Sequence, residues 1–578
     1  MNDAFFESES LTFVVVAIAL PIALGLLLLI FRLVIRGRFR VPASGVKDSP
    51  RLGVADAFDI DQRRRLVIVR RDNVEHLLMI GRWSDLAIAS DIIGAEAIDD
   101  EFRHDASEAS TEALLTPADA VRRRSAASRS TRKKWLASAR ARFKMARTLA
   151  TGSDLLPLAL LSGVAGAGAG FICGLFRLSL RQASHLRAAM PLWWRDEPVV
   201  GLMLMIVGAA AAAAIAVWLV RRFMEYAAGS GIPHIEAVIS GDLPPPSLML
   251  LPVKFLGGLL AIGAGLALGR EGPSVQMGAT LAHVLGKAFG RSPADCRSLL
   301  AAGGGAGLAA AFNAPLSGSA FVLEELIRQF DVRDAVAALG AAGSAIVAAQ
   351  LLTGPEPAFA VAALPFPDPS DNLLCFGLGV VAGLLGVVYN RVLLGALATM
   401  DRLARFPAEL RGAMLGAAVG ALAWFAPSVA GDGEALIQQT LDGAYGLGLI
   451  PLLYLLRLAL GAASYSSGAP GGIFAPLLVL GAQMGFFFGG LWHPGAADPA
   501  VHAVSFAVVG MAAFFTAVVR APLTGIILVT EMTESSTLLL PMLAACFSAM
   551  AVATMLGEPP IYDSLKERTL ALSERRPS

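Results

Sequence analysis

Residues 303–325, GGGAGLAAAFNAPLSGSAFVLEE, and residues 510–532, GMAAFFTAVVRAPLTGIILVTEM, lie over one another without a gap. Gly303 falls on Gly510, Ala314-Pro315-Leu316 on Ala521-Pro522-Leu523, Gly318 on Gly525 and Glu324 on Glu531. Upstream of each stands a second interrupted stretch. In the first half it is Gly269-Arg270-Glu271-Gly272-Pro273, in the second Gly471-Gly472-Ile473-Phe474-Ala475-Pro476. Two pairs in the same order mark an internal duplication. Duplicated halves with Gly/Pro-broken apolar segments are the pattern of transporters, whose site lies where the interruptions meet.

Composition agrees. Of the 578 residues, 55% are hydrophobic and 16% charged, and mean hydropathy is +0.63. Soluble chains carry about 25% charged residues. From about 150 to 570 the apolar segments fall near 155–180, 199–220, 248–268, 297–312, 315–327, 334–353, 373–400, 411–429, 448–464, 474–491, 503–519, 521–531 and 537–556. Several are too short to cross a bilayer, which takes roughly 20 residues. Broken helices survive at membrane depth only beside protein or a watery cavity. The expectation is an all-α polytopic body with an internal aqueous path. The four cysteines are scattered without a C-x-x-C spacing, and no H-E-x-x-H occurs. Neither a disulfide framework nor a zinc site is indicated, and no cofactor is expected. A net charge of +1 gives no whole-molecule attraction for nucleic acid.

The front of the chain differs. Residues 1–40 read as a retained transmembrane helix: acidic Asp3, Glu7 and Glu9, an apolar run from Leu11 to about Ile35, then Arg36, Arg38 and Arg40. The positive-inside rule places those arginines in the cytoplasm. In 41–95, Leu66-Val67-Ile68-Val69 and Leu77-Leu78-Met79-Ile80 are short β-type runs around an Arg-Asp-Asn turn signal, so a small cytoplasmic β module is expected. With its preceding helix it resembles FliO-like flagellar export proteins, which would imply flagellar export partners; an anonymous membrane-tethered β module is the other reading. Residues 96–150 read as a charged linker and a juxtamembrane basic stretch, with Lys133, Lys134, Arg140, Arg142, Lys144 and Arg147 set to meet anionic lipid rather than nucleic acid. Residues 151–570 form the transport body and 571–578 a tail.

A helix start leaves backbone N–H groups unpaired and carries about half a positive charge. Several starts aimed at one place make an anion site without a full cation, which would hold the anion too tightly. Three candidate starts stand out: Gly229-Ser230-Gly231-Ile232-Pro233, Gly269 to Pro273, and Gly471 to Pro476. Ser230 adds a hydroxyl donor, and Ile473 and Phe474 offer main-chain N–H groups.

The strings GSGIP at 229–233, GREGP at 269–273, AFNAPLSG at 311–318, SSGAPGGIFAP at 466–476 and RAPLTGIILVTEM at 520–532 together resemble the CLC family of chloride channels and transporters. The resemblance covers nearly all of 150–570. It implies an inverted-repeat membrane fold, a homodimer with one pathway per subunit, and chloride and protons as the transported species. It implies that the central anion is held by Ser230 with Gly231 and Ile232, by the main chain of Ile473 and Phe474, and by Tyr562. Serine in GSGIP resembles chloride-preferring members. Glu271 of GREGP would be the outer gate and proton carrier: a carboxylate mimics the anion's charge and fits the same helix starts. Burial opposes its ionisation and the helix dipoles favour it. The alternative for Glu271 is a carboxylate capping its own helix. Glu325 falls where exchangers of the family carry an inner proton relay and channels an apolar residue; a salt bridge near Arg328 is the alternative. The function implied is proton-coupled chloride antiport in a cell inner membrane. The alternatives left open are a passive chloride channel on the same fold and a flagellar export assembly protein with a fused transport body.

Other residues read more plainly. Lys254, alone in an apolar segment, either supports the anion electrostatically or pairs with a carboxylate. Arg270 is a second support, and Arg457 is expected to be structural. Glu324 and Glu531 read as a structural pair. His234 is a polar neighbour of GSGIP. Gly163 to Gly168 sit in an apolar helix and suggest small-residue helix packing, not a nucleotide loop.

Overall fold

The computed structural model describes residues 52–61, 64–71, 74–81, 86–93, 117–361, 364, 369–492 and 499–574, with side chains from 155 onward except at 369–371, 499–500 and 574. The expected helix of 1–40 lies outside the described residues. The chain divides into two units, Met1–Ala139 and Arg140–Ser578.

The first unit holds a four-stranded antiparallel meander: β1 (Leu52–Asp61), β2 (Arg64–Arg71), β3 (Val74–Gly81) and β4 (Leu86–Ile93). The two apolar runs read from sequence pair directly, Leu66 opposite Met79 and Ile68 opposite Leu77. Helix α1 (Pro117–Trp193) begins inside the stretch read as linker. Alanine-rich, strongly charged sequence is compatible with helix as well as with linker, and local composition does not separate the two.

The second unit is helical. The first repeat comprises the body of α1, then α2 (Pro198–Phe223), α3 (Ile232–Ile239), α4 (Leu250–Gly263), α5 (Glu271–Ala288), α6 (Pro293–Phe312), α7 (Pro315–Phe321) and α8 (Val332–Thr353). The second comprises α9 (Pro369–Arg402), α10 (Ala408–Phe425), α11 (Glu434–Leu441), α12 (Ile450–Ser466), α13 (Phe474–Trp492), α14 (Pro499–Val519), α15 (Pro522–Thr533) and α16 (Leu539–Met555). Helix α17 (Ile561–Glu574) follows. Among the described residues seven helices are long and apolar enough to cross a membrane.

Local chemistry repeats along with the helices. Helix α6 ends at Asn313 in left-handed backbone (φ +57°) and α14 runs into Arg520 at φ +73°. In each case Pro315 or Pro522 opens the next helix, where a missing N–H costs nothing. The short helices α3 and α11 each follow a left-handed glycine, Gly231 and Gly433. Gly278 and Gly303 leave no room for a Cβ between α5 and α6, nor do Gly481 and Gly510 between α13 and α14. Gly166 and Gly170 meet Ala341 and Ala345 across α1 and α8 as Gly379 and Gly383 meet Ala545 and Ala549 across α9 and α16. Helices in lipid gain nothing from hydrophobic exclusion between themselves, so close backbone approach at small residues supplies the packing. Of the glycine run of 163–168, Gly166 and Gly168 therefore pack helices, as read, while Gly163 has nothing within 4 Å of a Cβ.

The halves also clasp each other reciprocally. The Glu324 carboxylate accepts from Leu523 N (3.0 Å), Thr524 N (2.7 Å) and Thr524 Oγ1 (2.7 Å) at the start of α15. Glu531, at the end of α15, accepts from Leu316 N (2.9 Å) and Ser317 N (2.8 Å) at the start of α7. Each half caps the other's helix through equivalent residues, as an internal two-fold requires. The pairing of Glu324 with Glu531 is thus structural, as expected.

Candidate functional site

The three glycine-bearing helix starts meet. Gly269 and Gly472 exchange main-chain hydrogen bonds at 2.8 and 2.7 Å, while Gly229 N donates to Ala469 O (3.2 Å) and Gly471 N to Gly229 O (3.0 Å). These isolated bridges stitch the segments leading to α3, α5 and α13 at one place, though they stand some 40 and 200 residues apart in the chain. A Cβ on Gly272 would stand 2.6 Å from Ser230 Oγ and 2.7 Å from Ser230 O, so the α5 start presses against Ser230. At the third start a Cβ on Gly472 would stand 2.9 Å from Gly272 N. Glycine is required here because backbone meets backbone.

Ser230 and Tyr562 are both fully buried, and among the described residues neither hydroxyl has a hydrogen-bond partner. Buried polar groups are normally paired, so two orphans at such a junction point to a ligand. Helices α3 and α13 begin beside this junction, at Ile232 and Phe474, and the first N–H groups of a helix have no partner within it. The Phe474 ring locks the assembly together. It packs on Phe515 (centroids 4.7 Å apart), Phe321 (5.7 Å), Tyr562 (6.2 Å) and Phe312 (6.4 Å), one ring each from α14, α7, α17 and α6.

Glu271 is fully buried at the first position of α5. Its Oε1 accepts from Ala475 N in the first turn of α13, and its Oε2 has no partner among the described residues. The carboxylate therefore sits at the start of a helix from the other repeat while folding back over Gly269 at the start of its own.

Among the described residues Lys254 pairs with no carboxylate, the second of its two expected roles. Its Nζ donates to Ala227 O (3.0 Å) and Gly229 O (2.7 Å), the carbonyls leading into α3. Arg457, on α12, does the same in the other half, donating to Val429 O (2.8 Å) and Gly431 O (2.9 Å) ahead of α11. The two buried cations are repeat mates holding two loops in shape. The charge of Arg270 is matched by Glu434 (2.8 Å) and Asp432 (3.8 Å), and its Nε reaches Ala311 O (3.1 Å). Arg270 therefore clamps the two repeats together. His234 stacks on Tyr226 (4.5 Å) and meets Gln276 Nε2 through Nδ1 (3.2 Å).

One cavity borders the α3 start of the junction, and a second lies at the Glu325 turn. The first, of about 770 Å³, is lined by Gly229, Gly231, His234, Tyr465, Arg411 and Arg568 among others. The other, of about 430 Å³, is lined by Glu324, Glu325, Arg328, Arg520 and Pro560. Glu325 sits in a π-helical turn, Val322–Leu326, and is 3% exposed. It forms an ion pair with Arg328 at 3.2 Å, yet unlike a surface bridge it is buried.

Sequence reading missed Asp432 and Glu434, although Gly431-Asp432-Gly433 repeats the glycine spacing of Gly229-Ser230-Gly231 before an eight-residue helix. It also missed Asp563 and Gln276, for which no local signal exists.

The family model described as voltage gated chloride channel matches residues 212–554. The H(+)/Cl(−) exchange transporter ClcA of Vibrio cholerae serotype O1 (strain M66-2) is 38% identical over 417 residues, covering 69% of this chain and 88% of that protein. The ClcA of Cronobacter sakazakii is 40% identical over 375 residues, 63% of this chain and 79% of its own. Among solved structures, a slow cyanobacterial Cl−/H+ antiporter shares the fold with a TM-score of 0.67 and 32% identity, over 72% of this chain and 99% of that one. With the duplicated helix pairs and the stitched helix starts already in place, these matches establish that the chain belongs to the CLC family of voltage-gated chloride channel proteins.

Proposed function

We propose that the protein is a proton-coupled chloride antiporter of a bacterial inner membrane. The observation that carries this reading is the meeting of three helix starts around two unpartnered buried hydroxyls, with the Glu271 carboxylate already on one start. Chloride is held by Ser230, the α3 start at Gly231 and Ile232, the α13 start at Ile473 and Phe474, and Tyr562. No full cation touches it, so it can leave. Glu271 competes for the same N–H groups while ionised. Once protonated it no longer balances the α13 dipole, and it yields the position to an anion arriving from outside. Glu325 exchanges protons with the cytoplasmic side through the cavity it shares with Arg328.

The orientation proposed rests on the basic residues Arg36 to Arg40 and Lys133 to Arg147, which favour the cytoplasm for residues 41–150, and the C-terminus is assigned to the same side. A homodimer is proposed on the family resemblance. Exposed Leu339, Val347 and Leu351 on α8 and Leu540, Leu543 and Phe547 on α16 supply apolar surface for it or for lipid. The four-stranded meander supports a small β module, and its cytoplasmic side is proposed from the charge pattern alone. Deleting residues 1–130 separates a flagellar role from transport if motility fails while flux survives.

Chloride-driven proton flux in liposomes, recorded with chloride release, tests the reading. Glu325→Gln is expected to stop protons while chloride still moves. Proton flux at the wild-type rate in that variant refutes the relay assignment, and absence of any chloride flux in the wild type refutes the transport reading.

A further inference from the structure

Arg328 stands immediately beyond the π-helical turn that carries Glu325, and its backbone is left-handed, φ +56°. That region is unfavourable for a residue with a Cβ, and such strain persists only where the surroundings hold it. Here the turn folds the guanidinium back over Glu325. Nε donates to Glu325 O (3.2 Å) and Nη2 to Glu325 Oε1 (3.2 Å). The same Nη2 pairs with Asp563 Oδ1 at 2.7 Å. Asp563 directly follows Tyr562 at the start of α17.

Exposure separates the two partners. The Glu325 side chain is 3% exposed and that of Asp563 34%, while the Arg328 side chain between them is 45% exposed. Arg328 and Glu325 line the same 430 Å³ cavity. Water in that cavity therefore meets the guanidinium beside the buried carboxylate. The other charged groups around Glu325 are Glu324 from its own segment, Glu236 from α3 and Asp563 from α17, with Lys566 of α17 beyond them beside Glu236. Lys566 is engaged with Asp242 (3.3 Å) and Ser240 Oγ (2.6 Å), and Arg520, across the cavity, donates to Glu558 O (3.1 Å). Arg328 is thus the cation that directly contacts the Glu325 carboxylate among the described residues.

We propose that Arg328 is a positioning residue for proton transfer, a latch between the cavity and Glu325 for which Asp563 is the second berth. A proton passing from cavity water to Glu325 Oε1 releases Nη2. Arg328 keeps its charge and stays on Asp563, and it returns when the proton leaves. The inference rests on Glu325 being the inner relay and adds what governs its proton exchange.

Proton and chloride flux, measured together in liposomes over a series of cytoplasmic pH values, test it. Loss of the adjacent cation makes Glu325 easier to protonate, so Arg328→Gln is expected to raise the cytoplasmic pH of half-maximal proton flux by about half to one unit; partial exposure limits the shift. Asp563→Asn removes a negative neighbour and leaves Arg328 to Glu325 alone. It is expected to lower that pH by a similar amount. Arg328→Lys is expected to restore the wild-type midpoint to within a few tenths of a unit. A merely structural role for Arg328 would move turnover without opposite midpoint shifts. Midpoints that stay put, or move in the same direction in Arg328→Gln and Asp563→Asn, overturn the proposal while leaving Glu325 as relay. Glu325→Gln that still moves protons overturns the relay itself, and the latch with it. Adding Arg328→Gln to Glu325→Gln is expected to leave chloride flux as in Glu325→Gln alone; a further pH shift there places Arg328's effect elsewhere and also refutes the latch.

Discussion

Gly272→Ala probes the junction of helix starts most directly. Gly272 lies in the first turn of α5 at an ordinary helical φ, where alanine is intrinsically the better helix former. Its whole effect must therefore come from space. The new Cβ would meet Ser230 Oγ at 2.6 Å and Ser230 O at 2.7 Å, where ordinary contact begins at 3.4 Å. About 0.8 Å has to be found, and buried main chain on both sides cannot supply it without moving the α3 start. A hydrogen bond stretched past about 3.5 Å is lost. A bond from a neutral donor to a charged acceptor contributes about 1.5–3 kcal/mol, so losing the Ser230 hydroxyl weakens chloride binding about 10- to 150-fold. Titration calorimetry in detergent measures this, with unitary chloride turnover in liposomes as the second readout. Ser230→Ala, which removes the donor without a clash, is expected to show a comparable loss. Gly208→Ala on α2, where a Cβ meets nothing within 4 Å, is expected to behave as wild type. A folded Gly272→Ala protein with wild-type chloride affinity would refute the idea that close approach of the α3 and α5 starts places Ser230.

Glu324→Ala is expected to lower stability by about 2–4 kcal/mol, since three donors at the α15 start lose a charged acceptor. Glu531→Ala, with two such donors, is expected to cost about 1 kcal/mol less; thermal unfolding in detergent ranks them, and equal stability to wild type would deny the reciprocal capping. Lys254→Met leaves the carbonyls of Ala227 and Gly229 without their donor. It is expected to destabilise the protein by about 2 kcal/mol and to weaken chloride binding through the α3 loop, whereas unchanged chloride affinity would make the lysine irrelevant to the seat. Glu271→Gln is expected to give passive chloride flow that no longer rises as external pH falls, because the group that acid neutralises is gone. Flux with the wild-type acid response in that variant would assign gating to another residue.

The duplication was legible because its two marks are local. A proline at the first helical position and a left-handed residue before it recur in Asn313-Ala314-Pro315 and Arg520-Ala521-Pro522 whatever the rest of the chain does. The long lipid-facing helices were legible for the same kind of reason: bilayer thickness writes itself into the length of apolar runs. Helices α5, α11 and α17 were not visible as apolar runs. Helix α5 is almost wholly enclosed by protein and α11 half so, while α17 is partly exposed, so they carry Gln276, Thr280, Glu434 and Asp563 without an apolar exterior facing lipid. Sequence thus determined that the chain is a duplicated membrane body with glycine-broken helix starts and acidic residues beside them. Tertiary structure alone decided that Glu271 caps α13, that Lys254 and Arg457 are equivalent loop clamps, that Glu324 and Glu531 cap across the halves, and that Arg328 links Glu325 to Asp563. Each of these depends on a main-chain group or side chain brought near by packing from a distant or differently folded segment, and a main-chain N–H or carbonyl leaves no trace in the identity of the residue that bears it.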